Sequence, residues 1–184
     1  HVLQAISNAI TPLERWVIGG DKWVRAIATL ESAVWQPDQG GGPNEVIRRA
    51  AMSAFKTGVR AILVLPGDLG LLQPSDVDQM VDLSRGLSRA VLAQATADGG
   101  TNAILIPDGL LIDPSFGPGS FERHMMAARE AEIPFVVSEG AGLEFDLDRP
   151  EDLLFYRDKH PDLDEALTCW NNKLNSPELF KANL

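Results

Sequence analysis

The sequence has little cysteine and few basic side chains. Its 184 residues include one cysteine, Cys169, so no disulfide can form within the chain. Lysine and arginine number 16 against 26 aspartates and glutamates, which gives a formal net charge of −10. Nucleic acids and anionic membranes are bound by basic surfaces, so this charge balance argues against both as partners. The lone cysteine and the lack of a signal-peptide pattern favour a reducing, cytoplasmic setting.

Long hydrophobic runs and clustered histidines are also lacking. The longest apolar runs, such as residues 61–66, are far shorter than the ~20 residues of a membrane span. The three histidines have no metal-ligand spacing and no cysteine pair accompanies them, which argues against zinc. No serine lies in a G-x-S-x-G elbow, which argues against a Ser-His-Asp hydrolase. With no protein nucleophile evident, phosphoryl or nucleotidyl transfer is favoured, because substrate oxygens do the attacking there.

Helical and extended patterns alternate along the chain. Extended segments are predicted over residues 15–19, 32–36, 61–65, 90–95, 102–106, 133–137 and 143–147. Helices are predicted over 1–9, 21–30, 46–55, from Pro74 with Ser75 as N-cap, over 121–131, and from Pro150 to about 159. Segment 61–65 is uniformly apolar, which is typical of a strand buried on both faces of a parallel sheet. The alternation predicts an α/β fold with a mostly parallel sheet.

Two acidic segments follow predicted strands, in the loops where open α/β sheets bind ligands. Asp68 follows the apolar segment 61–65 and is interpreted either as a metal ligand or as a turn former. Asp146 and Asp148 share one face of an extended segment, where two carboxylates repel each other unless a cation lies between them. Asp148 is also suited to cap the helix near Pro150, and a solvated acidic face is the third interpretation.

Two glycine turns are candidate anion sites. Gly117 and Ser120 lie in a Gly-Pro-Gly-Ser turn just before a predicted helix, whose N-terminal N–H groups attract anions. The alternative is a plain glycine turn in which Ser120 caps the helix. Thr101 ends a Gly-Gly-Thr turn that is able to form a nest for phosphate oxygens. His124, one helical turn after Ser120, is interpreted as a surface residue in preference to one facing the anion.

A third glycine run, at residues 40–42, precedes Asn44. Bare backbone at Gly41 and Gly42 would admit a flat ring or a ribose, and Asn44 offers a bidentate amide. The signal is weak, because the run has neither a phosphate-binding lysine nor the spacing of a dinucleotide fingerprint.

Together these segments form an ordered series of motifs. They are LPGDL at 65–69, GGTNA at 99–103, FGPGSF at 116–121 followed by His124, and DLDRPEDL at 146–153. From about residue 16 to 152 the series resembles the 2-phospho-L-lactate / phosphoenolpyruvate guanylyltransferase family, which serves deazaflavin coenzyme biosynthesis. The two glycine motifs are the specific ones. The resemblance implies a three-layer α/β/α fold of the nucleotide-diphospho-sugar-transferase type.

The resemblance also implies a role for each candidate residue. The phosphate of phosphoenolpyruvate or 2-phospho-L-lactate would lie on Thr101, Gly117 and Ser120. Mg²⁺ would be held by the catalytic pair Asp68 and Asp146, with Asp148. GTP would lie along Gly41, Gly42 and Asn44. The acid's phosphate oxygen would attack the α-phosphorus of GTP and displace pyrophosphate, with the metal offsetting repulsion between the anions.

The chain departs from the family pattern at its start. Family members begin with a strand and a Lys/Arg-bearing loop that grips the nucleotide phosphates, and this chain begins at the helix after them. We therefore expect residues 1–160 to be a nucleotidyltransferase domain incomplete at its N-terminus, with 161–184 as its helical extension. Either the strand exists in the whole protein, or a partner chain, such as a second copy in a homo-oligomer, covers the gap. The alternatives are a molybdopterin- or sugar-type nucleotidyltransferase and a non-catalytic nucleotide- or phosphate-binding protein.

Overall fold

The computed structural model of the protein describes residues 1–110 and 112–146, together with the isolated residues Asp152, Leu154, Arg157 and Thr168. The chain divides into two compact units. The first contains residues 1–13 and 39–146, and the second contains residues 14–38 and those from 147 onward. The boundary predicted at residue 160 stays a prediction. Within the described ranges, no helix is both long and apolar enough to cross a membrane.

The described residues form helices and strands, and as far as residue 137 these follow the order that the patterns indicate. In chain order they are α1 (Val2–Asn8), β1 (Trp16–Ile18), α2 (Lys22–Leu30), β2 (Val34–Gln36), α3 (Pro43–Lys56), β3 (Ala61–Val64), α4 (Pro74–Leu83), β4 (Ala90–Gln94), β5 (Thr101–Pro107), α5 (Ser120–Glu130), β6 (Phe135–Val137) and α6 (Ala141–Glu144). In the second unit, β1 and β2 pair in parallel across α2, whose N-cap Asp21 accepts from the N–H groups of Trp23 and Val24.

The first unit contains a four-stranded sheet in the order β3-β5-β4-β6. Both β3 and β4 pair antiparallel with β5, and β4 pairs parallel with β6. Three strands therefore run in one direction and β5 runs against them. The α/β prediction with most strands parallel is confirmed.

Two layers of helices cover this sheet, because successive side chains of β4 and β5 point to opposite faces. On one face, Val91 and Leu105 pack with Met80 of α4 and Leu143 of α6. The other face, which we call the α5 face, packs against α5 and the end of α3 through Leu92, Ile104, Ile106, Phe121 and Phe55. The predicted three-layer arrangement is present in this unit.

The burial of the segment 61–65 differs from the prediction. All four residues of β3 are only half-buried, whereas every residue of β5 is buried. The reason is position: β3 lies at one edge of the described sheet, and β5 lies between β3 and β4. A uniformly apolar sequence does not reveal which strand is central.

Two further local predictions are wrong. The segment predicted as a strand over 143–147 begins within α6, and the Glu144 carbonyl accepts from both the N–H and the hydroxyl of Thr96, at 3.0 and 2.8 Å. Helix α4 is capped by Gln73 and not by Ser75, because Pro74 occupies the first turn and Asp76 completes a capping box.

Candidate functional site

Three predicted site residues of the first unit lie at one edge of the sheet. Asp68 lies in the turn that follows β3, and Thr101 is the first residue of β5. Asp146 follows α6, which the Thr96 bonds hold at the end of β4. Because β3 and β4 run antiparallel to β5, the C-terminal ends of β3 and β4 lie beside the start of β5. We call this end of the strands the sheet edge, as distinct from the outermost strand β3. Open α/β sheets bind ligands at the C-terminal ends of their strands.

The best-ordered part of this edge is a hydrogen-bonded group that we call the hydroxyl cluster: Thr101, Ser120 and His124. The Ser120 hydroxyl donates to Thr101 Oγ1 at 3.1 Å, and His124 Nδ1 lies 2.8 Å from the same oxygen. Ser120 and His124 are fully buried, and Thr101 is 6% exposed. Of the three, Thr101 is the member that reaches solvent.

The protonation of the cluster follows from its bonds. The backbone N–H of Ser115 donates to His124 Nε2 at 2.9 Å, so Nε2 carries no proton. In the neutral imidazole the proton is then on Nδ1, which donates to Thr101 Oγ1. With both of its lone pairs engaged, Thr101 has its own hydroxyl proton left to donate. The cluster therefore offers an O–H donor at the sheet edge.

The neutral state of His124 is favoured by its surroundings. Burial, and secondarily the positive charge of Arg123, lower the pKa of His124 from 6.5 to about 4. The histidine is therefore uncharged near neutral pH. The expectation that His124 lies on the surface is wrong. Its spacing of four residues from Ser120 places both side chains on one helix face, which is the signal that identifies it as a site residue.

The turn over residues 115–119, which we call the FGPG turn, is held from three sides. Asn44 Oδ1 accepts from the Phe116 N–H at 2.7 Å, and Asn44 Nδ2 donates to the Phe116 carbonyl at 3.3 Å. Arg123 donates to the Ser115 and Pro118 carbonyls at 2.7 and 2.8 Å. His124 receives the Ser115 N–H. The turn is thus fixed in place by side chains of α3 and α5.

The backbone donors at the start of α5 differ from the expectation. The N–H of Ser120 donates to the Gly117 carbonyl, and those of Gly119 and Phe121 donate to the carbonyls of Asp98 and Gly99. These three donors, expected to face a phosphate, are satisfied within the protein. The bonds from Gly119 and Phe121 do bring the two glycine turns together, as the family resemblance implies.

The glycine run at 40–42 has a conformational requirement of its own. Gly40, Gly41 and Gly42 all have positive φ, at 79°, 95° and 82°. A Cβ on Gly41 would lie 2.9 Å from Glu45 Cγ, whereas one on Gly42 would meet nothing within 4 Å. Gly42 caps α3. The predicted nucleotide contacts of Gly41, Gly42 and Asn44 stay predictions, with the Asn44 amide engaged by Phe116.

Of the three aspartates predicted to bind the metal, the structure describes Asp68 and Asp146, which we call the acidic edge. Asp68 is exposed and Asp146 is half-buried. The third predicted ligand, Asp148, lies outside the described residues. Within the described ranges, no three histidine, cysteine or acidic side chains are grouped closely enough to hold a metal ion. Carboxylate oxygens do suit Mg²⁺, which often takes only one or two carboxylates together with substrate phosphates.

Comparisons with known proteins identify the family of the chain. The family model described as "Guanylyl transferase CofC like" matches residues 1–156. The phosphoenolpyruvate guanylyltransferase of Rubrobacter xylanophilus is 36% identical over 137 residues, which is 74% of this chain and 67% of that protein. The 3-phospho-D-glycerate guanylyltransferase of Phenylobacterium zucineum is 34% identical over 139 residues, or 74% of this chain and 63% of that protein.

Two solved structures show a similar fold. CMP:2-keto-3-deoxy-manno-octonic acid synthetase complexed with CTP has a TM-score of 0.63 at 11% identity, covering 88% of this chain and 86% of that one. 4-Diphosphocytidyl-2C-methyl-D-erythritol synthase has a TM-score of 0.62 at 16% identity, covering 85% and 86%. At these identities the likeness establishes the fold, which is the one expected.

Proposed function

This chain belongs to the CofC-like guanylyltransferase family, and from that premise we propose that it transfers a guanylyl group from GTP to a phosphorylated three-carbon acid, releasing pyrophosphate. The observation that carries the proposal is the hydroxyl cluster at the sheet edge. The cluster offers a neutral O–H donor beside the FGPG turn, at the edge that also carries Asp68 and Asp146.

In this proposal the Thr101 hydroxyl donates a hydrogen bond to an oxygen of the acid's phosphate. Ser120 and His124 orient that hydroxyl through their bonds to Thr101 Oγ1. A hydrogen bond to a charged group contributes about 1.5–3 kcal/mol, more than one between neutral groups. The cluster is bonded before substrate arrives, so little reorganisation accompanies binding. Gly117, whose φ is 121°, leaves open space beside its Cα and forms the other wall of the acid site.

Asp68 and Asp146 would hold Mg²⁺, with Asp148 as the third ligand. The metal supplies Lewis-acid stabilisation of charge on the phosphates. Two anionic substrates meet at this edge in a chain of net charge −10, so electrostatic compensation is needed. Asp68 follows β3, and Asp146 follows α6, whose Glu144 carbonyl accepts from Thr96 just after β4. The nucleotide is proposed to run along Gly41 and Gly42, next to the α3 start that Asn44 ties to the FGPG turn.

The reaction asks little covalent chemistry of the protein. An oxygen of the acid's phosphate attacks the α-phosphorus of GTP, a new P–O bond forms, and the bond to pyrophosphate breaks. The protein's contribution is to position the two substrates in line. This explains why the site contains hydrogen-bond donors and carboxylates, with no nucleophilic side chain at its centre.

We propose phosphoenolpyruvate or 2-phospho-L-lactate as the acid, with 3-phosphoglycerate as the competitor to be compared. Each presents one phosphate and one carboxylate on a three-carbon frame, so each fits the same donor set. The Rubrobacter relative is named for the first acid and the Phenylobacterium relative for the last. The choice follows the higher identity to the former.

The test is release of pyrophosphate by the intact protein supplied with GTP, Mg²⁺ and each acid in turn. We expect release that requires both the acid and the metal, with phosphoenolpyruvate or 2-phospho-L-lactate as the better substrate. Supplying ATP or CTP instead of GTP provides the control for the nucleotide. Release from CTP with a sugar acid, and none from GTP with any of the three acids, would contradict the proposal.

A further inference from the structure

Asn102, in the GGTNA motif, is a buried side chain with an unsatisfied donor. It is 3% exposed, and its Nδ2 has no hydrogen-bond partner among the described residues. A buried amide donor without a partner destabilises the folded state, so such groups are rare in native proteins. At a candidate site, a buried donor of this kind is available to bind a ligand.

The backbone at Asn102 departs from regular pairing. Ala93 of β4 pairs with Ala103 of β5, and Gln94 pairs with Thr101, so the register shifts and Asn102 is the extra residue. This is a β-bulge, in which two residues of one strand oppose one of the other. Bulges redirect side chains and are common beside active sites.

The bulge places two consecutive side chains on the same face of the sheet. Asn102 is in register with Ile104 and Ile106, which pack on the α5 face. Thr101 is also on the α5 face, because its hydroxyl bonds to Ser120 and His124. In a regular strand, neighbouring residues would point to opposite faces. Here Thr101 and Asn102 are next to each other on the face that carries the acid site.

The pairing of β5 with β3 fixes the lateral position of Asn102. Val64 pairs with Ile104 in an antiparallel register, so continuing that register sets Asn102 opposite Pro66. Pro66 begins the turn that carries Asp68. The amide therefore lies on the strand between the hydroxyl cluster and the loop of the acidic edge.

We propose that Asn102 binds the phosphorylated acid, donating a hydrogen bond from Nδ2 to one of its anionic oxygens next to the bond from Thr101. The inference rests on the proposed function and adds a substrate-binding residue to it. A neutral amide suits this buried position, because a lysine there would have to bury a charge when the substrate is absent. The unsatisfied donor is then the property that binding requires.

The decisive variant is Asn102→Leu in the intact protein, which keeps a similar volume and removes the donor. We expect the melting temperature without ligand to stay the same or rise, because a buried unpaired donor is gone. The KM for phosphoenolpyruvate should rise by about tenfold to a hundredfold, as for a lost bond to a charged group. The KM for GTP should stay within about twofold, since the nucleotide is proposed to bind elsewhere.

The matched control is Ser138→Ala. Ser138 is 1% exposed and its Oγ is also unpartnered in the described part of the chain, but it follows β6, on the far side of β4 from β5. Its removal should leave the KM for the acid unchanged. If Asn102→Leu does not fold, Asn102→Ala provides the same kinetic comparison.

Direct calorimetric titration with phosphoenolpyruvate separates the two proposals. Binding by the wild type without turnover would reject the proposed function while still testing Asn102. Wild-type binding that Asn102→Leu preserves in full would overturn the inference, as would a rise in the KM for GTP alone. Failure of the wild type to bind the acid at all would overturn both.

Discussion

The hydroxyl cluster and the acidic edge differ in how completely the protein builds them. In the cluster, Ser120 and His124 are fully buried and each is bonded to Thr101. At the acidic edge, Asp68 is exposed in a turn and Asp146 is half-buried. In the proposed function the cluster is a preorganised donor site for the acid's phosphate, whereas Asp68 and Asp146 would hold the metal. Under that proposal, substrate binding and charge neutralisation fall to different residues of the same edge.

The largest effect is expected at the acidic edge. Asp68→Asn or Asp146→Asn should lower kcat by at least about a hundredfold, because a lost metal ligand removes several kcal/mol of transition-state stabilisation. The melting temperature should move by no more than about 3 °C for Asp68→Asn, since an exposed side chain contributes little to stability. Both are measured by pyrophosphate release and thermal unfolding of the intact protein.

The control for this pair is Asp108→Asn. Asp108 is an exposed acid just after β5, at the opposite end of that strand from Thr101. It should keep normal turnover. Near-normal turnover in Asp68→Asn and Asp146→Asn as well would show that neither carboxylate holds a required metal.

Acid pH should weaken the hydroxyl cluster through His124. Because the pKa of His124 is lowered from 6.5 to about 4, its contribution to stability is complete above pH 6.5 and is lost as the pH falls towards 4. Over this range the free energy of unfolding should fall by at most about 1.4 kcal/mol per pH unit from this group. Urea unfolding at several pH values, compared with His124→Gln, isolates the effect. Identical pH profiles would refute the assignment.

A smaller effect is expected from Asn44→Ala. The change removes both bonds to Phe116 and loosens the FGPG turn, which should cost about 1–2 kcal/mol of stability. The KM for the acid should rise more than the KM for GTP, because the turn borders the acid site. A larger rise for GTP would indicate that the Asn44 amide contacts the nucleotide directly. Steady-state kinetics with each substrate varied in turn provides the measurement.

For Gly41→Ala we expect an effect on stability alone, similar in size to that of Asn44→Ala. A positive φ of 95° is unfavourable for alanine by about 1–2 kcal/mol, and the new Cβ would also crowd Glu45. Gly67→Ala is the control, because a Cβ there meets nothing within 4 Å and its φ is not positive. Urea unfolding of the two variants should show a loss for the first alone. Equal stability would mean that the run at 40–42 is not conformationally required.

Much of the fold could be predicted from local pattern. The apolar segments at 90–95 and 102–106 identify β4 and β5, and the Gly-Gly-Thr turn between them is present. Their antiparallel pairing can also be predicted, because six connecting residues are too few for a parallel crossover. The position of β3 as the outermost strand cannot be predicted, because its apolar sequence does not depend on whether a strand or solvent lies beside it.

The candidate site also contains some residues that local sequence predicts and others that it does not. The glycine turns predict Thr101 and Ser120, and the structure brings their hydroxyls together. The burial of His124 and the bulge at Asn102 depend on how β4, β5 and α5 pack, which no local pattern reports. Asp148 lies outside the described residues, so its role as a metal ligand stays a prediction.

The proposed contact between the Thr101 hydroxyl and the acid is removed by Thr101→Val, in which only the hydroxyl is replaced. With Thr101→Ser as the control that keeps the O–H, both KM values are measured by pyrophosphate release. We predict a rise of about tenfold to a hundredfold in the KM for the acid for valine, little change for serine, and an unchanged KM for GTP in both. A valine variant with a normal KM for the acid, or one that loses GTP affinity instead, would contradict the account.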